Sequence, residues 1–261
     1  MSAASLATLP APSEARFRRL VAAELLKLGR RRTLLVASVV LIVAPMVVSF
    51  IVLAILHAAN PAKYGPAGGV ENLRGALQLL TQIGTVAAVL IGVNAGGSDL
   101  AAGVFRELVV TGRSRLALFA ARIPGGLALL LPLVAVAFAI AATASVTLAG
   151  PGQAPGPRLL LEYAGWVGLV STLAFLLALG VSSLLDSRAT SIGVLLAWQL
   201  AVAPVLFQTG KLDLLLSAAL KRLEPSAGSA SISLMTAILL IVVWTIVPLA
   251  AGAWRTRTRD A

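Results

Sequence analysis

Cysteine is absent from this chain of 261 residues, which excludes disulfides, iron–sulfur clusters and thiolate metal sites. Histidine occurs once, as His57 at the far end of an apolar run, too isolated for a metal centre. Charge is scarce. Only 12% of residues are Asp, Glu, Lys or Arg, while 59% are apolar and mean hydropathy is +0.96. A soluble domain carries about 25% charged residues, so the balance belongs to an integral membrane protein. A phosphate loop of the form GxxxxGKS or GxxxxGKT is missing, as is any Asp/Glu/His cluster suited to hydrolysis, so no enzyme activity is expected. Apolar residues run continuously rather than alternating, which excludes a β-barrel.

Six apolar runs approach or exceed the roughly 20 residues that a spanning helix needs. They cover 33–57, 76–96, 118–149, 163–185, 189–207 and 231–254, with Pro45, Pro132, Pro204 and Pro248 inside them as expected kinks. No Asp, Glu, Lys or Arg is expected at the middle of any run, which argues against proton- or sodium-coupled carriers. The interior polar residues are mild, among them Gln78, Gln82, Asn94, Ser191 and Gln199. Gln82, Asn94 and Gln199 either bond neighbouring helices or line a path. Gly84, Gly92, Gly96 and Gly97 would allow close packing along the second run. Trp166, Trp198 and Trp244 read as packing residues, and Trp254 as an interface anchor beside Arg255.

The net charge of +11 would suggest nucleic acid, but its distribution follows the membrane instead. With the N-terminus in the cytoplasm, fifteen Lys and Arg fall inside and six outside, so both termini, including the tail 255–261, are expected to be cytoplasmic. The same charge suits an anionic inner leaflet, making membrane lipids the expected partner and nucleic acid none.

Ahead of the first run, residues 1–12 read as a disordered start without the charge order of a signal peptide. An amphipathic helix is expected over 13–32, with Ser13 as N-cap. Phe17, Leu20, Val21, Leu25 and Leu28 form its stripe, and Arg16, Arg19, Glu24, Lys27 and Arg30 carry its charge. Between runs two and three, Gly97 to Ile123 reads GSDLAAGVFRELVVTGRSRLALFAARI. Its apolar residues recur at helical spacing beside Asp99, Arg106, Glu107, Arg113, Arg115 and Arg122, predicting a surface loop with a short interfacial helix. That helix either anchors two spans or offers a soluble partner a grip. The external segment 208–230 holds Leu214, Leu215, Ala218 and Leu220 before Lys221-Arg222, which predicts a second short surface helix or a plain connector. Residues 150–157, GPGQAPGP, form a turn with no room for a domain.

These features together resemble the membrane subunit of an ABC-2 type ABC transporter. The likeness rests on AELLKLGRRRT at Ala23 to Thr33, which resembles the family's elbow helix, and on Gly97, Asp99, Gly103, Ser114-Arg115 and Arg122 in the second-to-third-run loop. The six-span layout with a longer outer segment before the last span adds to it. Val104 after Gly103, where threonine is frequent, and Gly112-Arg113, where a Pro-Val pair is common, depart from the family pattern. The resemblance implies an all-α integral membrane protein of six transmembrane helices, with an elbow helix and a cytoplasmic coupling helix. It further implies that Asp99, Val104, Phe105, Arg106, Glu107, Arg113 and Arg115 dock a separate cytoplasmic ATPase. That partner would hold the ATP and Mg, with no cofactor on this chain. A second permease copy or homologue would complete the pathway in a bacterial plasma membrane, with export as the implied direction. Two other readings remain open from the residues alone: a non-transporting membrane scaffold, and an ATP-independent channel or carrier.

Overall fold

The structure, a computed structural model, describes residues 13–101, 114–150, 154–185, 187–202, 205–206, 215–225 and 232–258. Among these residues every regular element is a helix.

The chain starts with α1 (Ser13–Gly29), and Arg30 and Arg31 then lead directly into α2 (Arg32–Ile42). Leu28 of α1 is fully buried and Leu20, Val21 and Leu25 are half-buried, while Arg18, Arg19 and Arg30 stay exposed. The apolar stripe therefore does pack, except at Phe17, which remains 38% exposed. α2 and α3 (Ala44–Ala59) form one rod interrupted at Val43. Pro45 explains the break: it lies in the first turn of α3, where its missing N–H is not needed. The short α4 (Pro61–Tyr64) is capped by Asn60, whose Oδ1 accepts from the Lys63 N–H at 3.1 Å.

The remaining elements are α5 (Val70–Ala101), α6 (Arg115–Thr147), α7 (Pro157–Leu184), α8 (Arg188–Ala197), α9 (Leu216–Arg222) and α10 (Leu234–Thr258). A π-helical turn over Trp198–Val202 continues α8. Five rods are long and apolar enough to cross a membrane: Arg32–Ala59, α5, α6, α7 and α10. This is the architecture of a multi-pass α-helical membrane protein.

Within the run at 189–207, expected to span, the described residues form a helix over Arg188–Val202 and are helical again at 205–206, while residues 203, 204 and 207 lie outside the described residues. A π-helical turn begins at Trp198 inside this run. The stretch from Gly97 also differs from the expected surface loop. α5 runs on through Ala101, five residues past the expected end of the second span, and α6 begins at Arg115 rather than near Leu118. Arg122 consequently sits inside α6, about 10 Å from its start, and is 1% exposed.

α5 and α7 form the centre of the bundle. Leu77, Ala88, Ile91 and Ala95 of α5 share one buried cluster with Tyr163, Val167, Phe175 and Leu179 of α7. Two glycines set their spacing. A Cβ on Gly92 would lie 2.6 Å from the Phe175 carbonyl oxygen, and one on Gly96 would lie 2.8 Å from that of Leu179. Of the glycines expected to pack closely, these two do so, whereas Gly84 has only Leu80 nearby. α10 joins α7 through a similar approach of Gly252 to Gly180. The outward faces of α2, α3 and α10 expose Val40, Val48, Ile55, Leu239, Val243 and Val247, which suits helices whose solvent is hydrocarbon.

Candidate functional site

At one end of the bundle, arginines from three separate segments converge on a single turn of α5. Asn94 Oδ1 accepts from Arg31 Nη1 at 2.9 Å and from Arg188 Nη1 at 3.0 Å. The Asn94 amide is held in place because its Nδ2 donates to the Leu90 carbonyl at 2.8 Å. Two residues on, the Gly96 carbonyl accepts from Arg122 Nη1 at 2.9 Å. All three guanidinium groups are held by oxygens of this one stretch of α5, hydrogen bonds strengthened by the charge of the donor. At α10, the Arg257 carbonyl accepts from Arg115 Nη1 at 3.2 Å. The lead into α2 and the starts of α6 and α8 are thereby tied to α5.

α1 is seated at this end. Gly125 of α6 faces it so closely that a Cβ there would lie 2.7 Å from the Glu24 Cβ. Glu24 in turn pairs with Lys27 at 2.5 Å, while Arg19 and Arg30 point outward. Val104, Phe105, Arg106, Glu107 and Arg113 lie outside the described residues, as do the side chains of Arg16 and Asp99.

The second feature is a partly open cavity of about 470 Å³ lined by α5, α7, α8 with its π turn, α9 and α10. One wall is a polar stripe of α5, with Gln78 and Gln82 one turn apart and Thr81 and Thr85 beside them. Gln199 enters from the π turn. The apolar walls include Val170, Ala174 and Leu195, with Trp198 and Trp244 packed at 5.8 Å between ring centroids. The end away from the arginines is closed by α9, where the expected surface helix is present. Trp166 Nε1 donates to the Leu220 carbonyl at 3.0 Å and Tyr163 Oη to that of Pro225 at 3.1 Å. Glu224 lies 3.9 Å from Arg74 across the same end.

Gln82 and Gln199, read as either packing or path residues, thus line one cavity. Asn94 lies apart from it as an arginine acceptor. The roles of Arg31 and Arg188 were not legible, since their partners lie 63 and 94 residues away in sequence. Clusters of His, Asp and Glu able to hold a metal ion are absent among the described residues. Compared with known proteins, the chain matches no family model and no curated protein.

Proposed function

We propose that this chain is the permease subunit of an ABC-2 type ABC transporter, an exporter of the bacterial plasma membrane. In this reading the arginine end is cytoplasmic, and residues 189–207 complete a sixth crossing. A second copy or homologue forms the pathway with it. ATP and Mg belong to a separate cytoplasmic ATPase, which grips the stretch between α5 and α6 through Arg106 and Glu107.

One observation carries the reading. α1 is seated on α6 at the same end as the ends of α5 and α6 that flank residues 102–113, and arginines bind those ends to the rest of the bundle. A push on that stretch would reach α5 and α6 directly, and α8 through Arg188 and Asn94. Coupling of this kind needs a contact that differs in energy between the two states of the transporter. The sequence likeness over Ala23 to Thr33 and Gly97 to Ile123 supports the same conclusion.

Purification of the tagged chain from its host in mild detergent, with mass spectrometry of what is retained, tests it. A co-purifying protein with a phosphate loop and an ABC signature, released by R106A/E107A, is the expected result. Recovery of the chain alone, or with membrane proteins only, overturns it in favour of the scaffold reading.

A further inference from the structure

The cavity's polar wall has a feature that helix packing does not explain. Gln78 and Gln82 are exposed and Gln199 is half-buried where they line the cavity, and among the described residues no side-chain hydrogen bond to the rest of the chain engages their amides, each of which offers two donors and an acceptor. Gln82 lies near the middle of α5, a helix apolar enough to cross a membrane. Polar residues that act as interhelical glue face a partner on a neighbouring helix. Three of them face open volume instead. Thr81 and Thr85 give their hydroxyl protons to the carbonyls of Gln78 and Thr81, leaving only lone pairs toward the cavity.

The rest of the lining restricts what could fill that volume. Trp198 and Trp244 add an aromatic surface to the lining. Among the described lining residues, charge appears only near α9, where Glu224 faces Arg74 and Lys221 has a partner of its own. A charged group deep in the cavity would meet no counter-charge, and burying it would cost several kcal/mol. The volume of about 470 Å³ is that of a small-molecule site.

From these observations we infer that the cavity binds an uncharged amphiphile. Its hydroxyl or amide head meets Gln78, Gln82 and Gln199, and its apolar ring system lies on Trp198 and Trp244. Binding stands on the cavity itself; that the bound molecule is cargo rests on the permease reading.

The test uses the full chain alone in phosphatidylcholine nanodiscs, so its result is independent of any ATPase. The probe is N-phenyl-1-naphthylamine, a neutral amphiphile with one N–H, followed by energy transfer from the indoles after subtraction of empty nanodiscs. The competitor is 1-anilinonaphthalene-8-sulfonate, which has the same ring system and an added anionic group. Expected are saturable binding of the neutral probe, no displacement by the sulfonate, and affinity about tenfold weaker in Q82L/Q199L, for hydrogen bonds worth about 1 kcal/mol or less each. The melting temperature of that variant should equal or exceed the native one, since no bond within the chain is lost. The inference is overturned by a purely linear signal, by equal displacement with the sulfonate, or by unchanged affinity in the variant. A lower melting temperature or failure of the variant to fold also overturns it, because the glutamines would then be structural.

Discussion

Arg122 donates from Nη1 to the Gly96 carbonyl at 2.9 Å, joining the third turn of α6 to the end of α5 while only 1% exposed. A cation this enclosed is tolerated because its guanidinium meets an acceptor there, and hydrogen bonds from a charged donor are among the stronger ones. Replacement by leucine removes a charged hydrogen bond worth about 1.5–3 kcal/mol and a large buried side chain. Arg122→Leu should therefore melt well below the native protein in detergent. Arg122→Lys should fall between them, because an ammonium on a flexible stem cannot reproduce the planar fork. Thermal unfolding followed by size exclusion decides; a native melting temperature in both variants would remove Arg122 from the framework.

Asn94 presents one neutral oxygen to two guanidinium groups. Asn94→Asp places a full negative charge between Arg31 and Arg188, so stability should hold or rise. Asn94→Leu should lower it by about 1–3 kcal/mol, the cost of leaving half-buried donors without their acceptor. If arginine convergence matters, Asn94→Leu and Arg188→Ala combined should cost less than the sum of the two singles. Additive losses would mean that Asn94 and Arg188 act independently.

Hydropathy made the five long helices legible, because a continuous apolar run of that length has few other solutions. It failed where charge is matched by tertiary contact. Arg122 marks a membrane boundary when only its own neighbours in sequence are seen, but its partner carbonyl comes from Gly96, 26 residues earlier. Gln82 and Gln199 were visible as interior polar residues. That they share a cavity follows only from how α8 and its π turn pack beside α5. The spacing of Gly92 and Gly96 could be read directly, since small residues four apart define a single helix face.

The hold on α9 should be additive and modest. Trp166→Phe removes the indole donor to Leu220, and Tyr163→Phe removes the hydroxyl donor to Pro225, at about 1 kcal/mol each. Hydrogen exchange or limited proteolysis at residues 215–225 should report local loosening, with little change in the global melting temperature. Protection unchanged in the double variant would show that the ion pair of Arg74 with Glu224, or apolar contact, holds α9 instead.

The contact between α5 and α7 predicts opposite outcomes for one substitution at two glycines. An added Cβ at Gly96 would overlap Ser182 Oγ and approach the Leu179 carbonyl oxygen to 2.8 Å. At Gly84 the nearest atom is Leu80 Cδ1 at 3.6 Å, an ordinary contact. Gly96→Ala should therefore destabilise by about 1–3 kcal/mol, the usual cost of overpacking. Gly84→Ala should be neutral or stabilise by up to about 1 kcal/mol, because alanine is the better helix former. Pairing Gly96→Ala with Ser182→Ala separates the two sources of strain. It removes the hydroxyl but not the backbone carbonyl, so rescue should be partial. Full rescue would place the whole constraint on the serine, and equal effects at Gly84 and Gly96 would mean that the two helices are not held together by this close approach.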